Sequence, residues 1–172
     1  MISLSALLWV FITFFAFIGS TRGWAKEMLV TFSVILGLFI LTVFKLWVPF
    51  IKDLTGAPLF WLRFVVIVLV VFFGYQGPSI PKLAGTNRFA REKVQDSLFG
   101  IFMGAINGYL IFGTIWFFLN EAGYPFDFIQ PPKLSPEALT SLMNLLPPGW
   151  LVSPLIYFAV AIAFVFVLVV FI

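Results

Sequence analysis

Five apolar stretches, separated by short polar connectors, constrain this chain more than any other feature of its sequence. Apolar residue types make up 62% of the 172 residues and charged types only 10%, whereas soluble domains are about 25% charged. A water-soluble domain could not cover its surface with so few charges, so much of the surface must face lipid. The sequence therefore predicts an all-α, polytopic helical membrane protein, and it argues against a soluble enzyme, a disordered tail or a secreted disulfide scaffold.

The apolar stretches are predicted to be membrane-spanning α-helices, and the last of them is long enough to cross a bilayer core of about 30 Å at about 1.5 Å per residue. The five candidate spans are Leu4–Gly19, Met28–Val48, Leu59–Tyr75, Leu98–Leu119 and Leu151–Ile172. Four spans are the alternative, because the first stretch is short. Before the last stretch, Ser135, Pro136 and Glu137 are typical of a helix start, which predicts a short amphipathic helix lying in the membrane interface.

These patterns divide the chain into three parts. A four-helix membrane domain is expected over residues 1–120, a polar, Pro-rich connector with the interfacial helix over residues 121–150, and a C-terminal transmembrane helix over residues 151–172. The connector is set apart by its prolines and by its higher polarity, whereas the final part is almost entirely apolar.

The basic residues predict the orientation of the spans. With five spans, six basic residues fall on one side of the membrane: Arg22, Lys26, Lys82, Arg88, Arg91 and Lys93. Four fall on the other side: Lys45, Lys52, Arg63 and Lys133. Because cytoplasmic loops carry the excess of Lys and Arg, the side with six is expected to be cytoplasmic. The N-terminus then lies outside and the C-terminus inside.

Missing side chains restrict the chemistry open to the chain. It contains no Cys and no His, which removes thiolate chemistry, disulfides and the residue best suited to proton transfer near neutral pH. The seven carboxylates form no recognised metal or acid–base motif. The sequence thus predicts no catalytic residues, no cofactor and no metal. It predicts the lipid bilayer as partner, with a membrane protein or a second copy of the chain as a further partner, and no nucleic acid.

The fourth span carries a stripe of small residues. Gly100, Gly104 and Gly108 recur every four residues, a spacing typical of a glycine zipper, which lets another helix approach closely. Two interpretations stay open, contact within one chain and association with another helix. Ser33 and Gly37 form a small-xxx-small pair on the second span at a similar predicted depth, so we expect them to contact the stripe within one chain.

Asn107 lies inside the fourth span, where a polar side chain needs a partner. We expect it near the bilayer midplane, with a hydrogen bond to a backbone carbonyl or hydroxyl of the second span. One interpretation is a structural link between helices. The alternative is a role in a conducted pathway, for which Asn107 would need polar residues from other spans beside it.

A group of charged residues is predicted on the cytoplasmic side. Its members are Arg22, Lys26, Glu27, Arg91 and Asp96. One interpretation is a solvated turn that carries topology signal, and the other is a fixed charge cluster. In the second case Asp96 sits at the N-terminus of the fourth helix, where the helix dipole favours a carboxylate, and Arg22 or Lys26 lies within reach of it.

Two motifs in this order resemble the colicin V production protein (CvpA) family of bacterial inner-membrane proteins. The motifs are Gly19-Ser-Thr-Arg22-Gly23-Trp-Ala-Lys26-Glu27 and Asp96-Ser-Leu-Phe-Gly100-Ile-Phe-Met-Gly104-Ala-Ile-Asn-Gly108. The resemblance covers roughly residues 5–120. It implies a multi-pass protein of the inner membrane, linked to the production or export of a peptide toxin or to envelope maintenance. It implies no catalytic residues.

These observations favour a non-enzymatic accessory that acts through helix packing and partner binding. A small oligomeric transporter or channel is the alternative, and it would require polar residues from several spans to meet inside the membrane. A membrane-embedded enzyme is the third hypothesis, which lacks a recognisable nucleophile–base pair or metal set.

Overall fold

The computed structural model of the protein describes residues 3–76 and 89–171, and this part of the chain is all-α, as predicted. Its helices are α1 (Leu4–Arg22), α2 (Trp24–Trp47), α3 (Pro49–Lys52), α4 (Gly56–Tyr75), α5 (Phe89–Glu121), α6 (Pro136–Leu145), α7 (Pro147–Trp150) and α8 (Leu155–Phe171). Four of them, α1, α2, α4 and α5, are long and apolar enough to cross a membrane. With the shorter apolar helix α8, this agrees with about five spans.

Local sequence explains where these helices begin and end. The Ser3 hydroxyl accepts the Ala6 N–H at the start of α1, and the Ser135 hydroxyl accepts the Ala138 N–H at the start of α6, which confirms the predicted helix start there. Gly23 separates α1 from α2 with φ of 83°, a value that glycine adopts at little cost. The chain therefore reverses between two long helices within a single residue.

The long helices run in alternating directions. α4 is antiparallel to α2, since Gly74 lies against Ser33 and Gly37 against Ile67 and Val70. We call the ends of α1 and α4 and the start of α2 the first face of the bundle. The second face holds the end of α2, α3, the start of α4 and the end of α5.

The glycine stripe of α5 contacts α1. A methyl group added to Gly100, Gly104 or Gly108 would overlap backbone carbonyl oxygens of α1. The carbonyls belong to Gly19, Phe15 and Phe11, so the two helices are antiparallel and nearly touch along three successive turns. The expectation that the stripe contacts Ser33 and Gly37 is therefore wrong.

The physical reason is that α1 itself carries small residues where the stripe approaches it. Gly19 and Ala16 leave its backbone uncovered where Gly100 and Gly104 approach, and van der Waals contact between such backbones drives helix association in lipid. Ser33 and Gly37 instead face α4: Ser33 lies against Gly74, and the side chains of Ile67 and Val70 cover Gly37.

The C-terminal part folds back onto the bundle. Pro147 of α7 lies against Gly113 of α5, and the Tyr109 hydroxyl donates to the Leu145 carbonyl oxygen. α8 then runs along α2, because the Phe32 ring meets Phe166 with centroids 5.1 Å apart and the Phe39 ring meets Tyr157 at 6.0 Å. This order makes α8 antiparallel to α2, so α8 ends at the first face.

Candidate functional site

A cluster of polar side chains lies inside the bundle where four helices meet. Its centre is Glu27, a fully buried residue in the first turn of α2. Burying a charge is costly unless it is paired and hydrogen-bonded, so the surroundings of this carboxylate determine whether the bundle is stable. We refer to Arg22, Glu27, Thr31, Tyr75 and Asn107 as the polar cluster.

Asn107 connects α5 to α2 through three hydrogen bonds. Its side-chain amide donates to the Glu27 carboxylate oxygen Oε2 at 2.8 Å and to the Glu27 backbone carbonyl at 2.9 Å. Its Oδ1 accepts the Thr31 hydroxyl at 2.7 Å. Asn107 is itself fully buried, and these bonds use both its donors and its acceptor. The sequence predicts partners of these two kinds on the second span; Thr31 lies on it, whereas the carbonyl belongs to Glu27, one residue before its predicted start at Met28.

The depth of Asn107 differs from the expectation. It meets Glu27 and Thr31 near the start of α2 and not Gly37, which lies ten residues further along. The prediction assumes that equal numbers of residues along α2 and α5 give equal depth. Asp96 does reach Trp24 at the start of α2, yet Asn107, eleven residues further along α5, reaches Glu27, only three residues after Trp24, so the two helices do not advance in step.

Arg22 and Tyr75 complete the cluster from α1 and α4. The Arg22 Nε lies 3.2 Å from the Glu27 Oε1, close enough for an ion pair, although Oε1 has no hydrogen-bond partner among the described residues. The guanidinium also lies 4.3 Å above the centre of the Tyr75 ring and donates to the Tyr75 backbone carbonyl at 3.3 Å. The Tyr75 hydroxyl donates to the Glu27 Oε2 at 3.4 Å.

Asp96 performs a different task from the one predicted. Its carboxylate accepts the backbone N–H of Trp24, the first residue of α2, at 3.2 Å. Gly23, at the N-cap position of α2, has no side chain to fulfil this role. Asp96 therefore caps a neighbouring helix, where the α2 dipole also favours a negative charge.

The predicted ion pair of Asp96 with Arg22 or Lys26 is not formed among the described residues. The reason is that Glu27 engages Arg22, and the one-residue turn at Gly23 brings the free N–H groups of α2 to Asp96. Of the other predicted charges, Lys26 is partly exposed. The prediction for the Arg91 side chain lies outside the described residues, as do those for Lys82 and Arg88.

Thr31 and Tyr75 were not singled out in the sequence. The helices explain why both lie beside Glu27. Thr31 is one turn after Glu27 on α2, and Tyr75 is the last residue of α4, at the face where α2 begins. The sequence signal lies at the start of the second span, which is predicted at Met28. The helix begins at Trp24 and therefore includes Glu27.

The described residues outside the polar cluster show no second group of buried polar side chains that bond to one another. The Thr114 hydroxyl on α5 is fully buried and has no hydrogen-bond partner among the described residues. Within residues 3–76 and 89–171, no group of three or more His, Cys, Asp or Glu side chains stands together as a metal site would require.

The fold and the site define the class of protein. Long apolar helices, a polar cluster with a buried centre between them, and extensive apolar outer surfaces are the properties of an integral membrane protein of the all-α class. Comparisons with protein-family models, with curated proteins and with solved structures find no match to this chain.

Proposed function

We propose that this chain is a non-enzymatic accessory of the bacterial inner membrane, similar to the CvpA family. It would act in toxin production or export, or in envelope maintenance, by binding another membrane protein. The observation that carries the proposal is that the polar cluster links four helices to one another through a fully buried centre. Glu27 and Asn107 are fully buried and engage one another together with Arg22, Thr31 and Tyr75. Such a cluster favours a scaffold whose interior holds the helices in place and whose outer surface meets partners.

The outer surface contains a groove that a partner could occupy. An apolar groove of about 550 Å³ runs between α2, α4 and α8. Its walls include Leu36 of α2, Phe73 of α4 and Phe164 of α8. Interior residues of the polar cluster do not reach this groove, so substitutions in it can be made without disturbing the cluster.

Photo-crosslinking within the membrane tests the proposal. A photoreactive residue replaces one exposed side chain at a time: Phe14 on α1, Phe102 on α5, and Leu36, Phe73 or Phe164 in the groove. We expect one discrete adduct with a different membrane protein, confined to one face. The unreactive faces serve as internal controls. Protein adducts at no face, or only with a second copy of the chain, would contradict the accessory role.

A transporter or channel is the second candidate, and one observation favours it. Polar side chains from α1, α2, α4 and α5 meet inside the bundle, which is what a conducted pathway would use. Intramembrane ionisable residues frequently mark such pathways. On this hypothesis Glu27 is the group that binds the transported cation or proton.

Flux from liposomes that contain the purified protein distinguishes the two candidates. The accessory proposal expects the same cation and proton flux as empty liposomes. Flux that Glu27→Gln abolishes, and that the exposed matched variant Glu137→Gln retains, would replace the accessory proposal with the transporter.

A further inference from the structure

Basic side chains gather around a cavity at the second face. Lys45 near the end of α2, Lys52 at the end of α3 and Arg63 of α4 line a cavity of about 240 Å³, together with Glu121 at the end of α5. The spans assign four basic residues to this side of the membrane, and three of them line this one cavity. The polar cluster and the proposed accessory role account for none of them.

The cavity combines charge with an apolar floor. Its remaining walls are aliphatic side chains: Leu41, Ile51, Leu54, Leu59 and Leu62. A neighbouring cavity of about 310 Å³ shares Lys45, Arg63 and Glu121 and extends toward Phe117 and Val152. A ligand that fits both parts has an anionic group at one end and an apolar portion at the other.

Arg63 is held in a fixed position within this wall. It lies seven residues after the start of α4, so it is about 10 Å from the helix end at about 1.5 Å per residue. It forms an ion pair with Glu121, and its guanidinium carbon lies 5.2 Å from the centre of the Phe118 ring. Its side chain is only 13% exposed, which is consistent with a preorganised site.

The charge balance of the cavity is positive. Glu121 offsets Arg63, and Lys45 and Lys52 add two positive charges that no other lining carboxylate balances. Among the described residues neither lysine forms an ion pair. The count of basic residues predicts that this face is on the non-cytoplasmic side, where Lys and Arg are less frequent. Three cations around one cavity on that side therefore indicate a site for an anionic ligand.

We propose that this cavity binds a phosphate group, supplied by the headgroup of a phospholipid. The phosphate lies between Lys45 and Lys52, beside Arg63, and an acyl chain follows the aliphatic wall toward Phe117 and Val152. Lysine ammonium groups bind phosphate as compact point charges. The cavity is lined by the end of α2 and the first two turns of α4, and lipid headgroups are expected beside the ends of membrane-spanning helices.

Native mass spectrometry of the delipidated protein in detergent tests this site. The probes are phosphatidylglycerol, a diacylglycerol with the same acyl chains but no phosphate, and inorganic phosphate as competitor. We expect phosphatidylglycerol to bind more tightly than diacylglycerol. The double variant Lys45→Gln/Lys52→Gln should weaken that binding by about tenfold, since each exposed ion pair corresponds to about threefold in affinity.

Two matched variants control for loss of charge alone. Lys133→Gln removes a cation from the same side of the membrane, and Lys26→Gln removes one from the first face. Both should leave phosphatidylglycerol binding unchanged. If the double variant loses its unfolding transition, the single variants Lys45→Gln and Lys52→Gln are compared instead, each with an expected loss of about threefold.

The competitor distinguishes the two sources of phosphate. Retention of phosphatidylglycerol in the presence of millimolar inorganic phosphate supports a lipid headgroup, whereas displacement supports a site for free phosphate or a small phosphate ester. Equal binding of phosphatidylglycerol and diacylglycerol, or equal binding by the wild type and the double variant, overturns the proposal. Neither outcome bears on the accessory role.

Discussion

At the scale of single residues, the buried carboxylate of Glu27 is the most demanding group in the molecule. It is tolerated because Arg22 provides a counter-charge and because Asn107 and Tyr75 donate hydrogen bonds to it. Removing one partner from such a group leaves a buried charge uncompensated, which costs more than the pair contributes when it is intact. The strongest single-residue effects are therefore expected within the polar cluster.

Replacing Asn107 tests this interdependence. Asn107→Leu removes the donor to the Glu27 Oε2, and we expect the free energy of unfolding in micelles to fall by about 1–3 kcal/mol. Asn144→Leu, at an exposed position of α6, should change it by less than about 0.5 kcal/mol. Combining Asn107→Leu with Glu27→Gln should cost less than the sum of the two single changes. Additive effects would show that the two side chains act separately.

Asp96 offers a second test at this scale. Asp96→Ala removes the cap on the Trp24 N–H and should lower the free energy of unfolding by about 0.5–2 kcal/mol. Asp96→Asn keeps an acceptor oxygen and should retain most of the stability. Arg22→Glu should not rescue Asp96→Lys, because Arg22 pairs with Glu27. If Arg22→Glu recovers the folded yield that Asp96→Lys loses, the result would show that Asp96 and Arg22 do form a pair.

At the scale of helices, the contact between α1 and α5 determines the arrangement of the rest. The extents of the helices were predicted well from apolar runs and breakers: α4 ends at Tyr75 as expected. α5 was predicted too short, because Lys93 and Asp96 interrupt its hydropathy although they do not interrupt a helix. Helix propensity and hydropathy are different properties, and a charged residue ends an apolar run without ending a helix.

The partner of the glycine stripe could not be predicted from spacing alone. Both α1 and α2 offer small residues, Gly19 and Ala16 on one and Ser33 and Gly37 on the other. The choice depends on which surfaces are already covered, and α4 covers Ser33 and Gly37. Only the simultaneous arrangement of all the helices contains that information.

Enlarging the stripe should separate α1 from α5. Gly104→Ala places a methyl group against the Phe15 carbonyl and should lower the free energy of unfolding by about 1–3 kcal/mol. Gly104→Leu should abolish the folded state. Phe102→Leu, on the exposed side of α5, is the control and should retain the wild-type folded yield. Equal tolerance of all three changes would mean that α1 does not contact the stripe.

At the scale of the whole molecule, α8 closes the bundle along α2 and ends at the first face. Two aromatic contacts, Phe32 with Phe166 and Phe39 with Tyr157, fix its direction. An antiparallel α8 is what a fifth span requires, since α2 leaves the first face and α8 returns to it.

Crosslinking checks the direction of α8 in this Cys-free chain. Cysteines at positions 32 and 166 should be joined within one chain by a short thiol-reactive crosslinker, giving a monomer of altered mobility. The matched pair at positions 32 and 158 should not react, because position 158 lies toward the opposite end of α8. Reaction of the second pair alone would show that α8 runs in the opposite direction along α2.

Topology reporters check the orientation of the bundle in the membrane. Fusions at residue 85, between α4 and α5, and at the C-terminus should report the same side, because α4 and α8 both end at the first face. The excess of basic residues predicts that this side is cytoplasmic. Reports from opposite sides would show that α8 does not cross the bilayer.

The sequence alone is enough to predict the class of protein, the number of long helices to within one, and Asn107 as a polar residue that needs a partner between helices. These properties depend on composition and on spacing along one chain, which hydropathy and helix periodicity describe directly. The partner of each residue follows from the packed helices: α1 for the glycine stripe, Trp24 for Asp96, and Arg22, Asn107 and Tyr75 for Glu27. Partner choice depends on competition among all helix surfaces at once, and that competition is resolved only when the helices pack together.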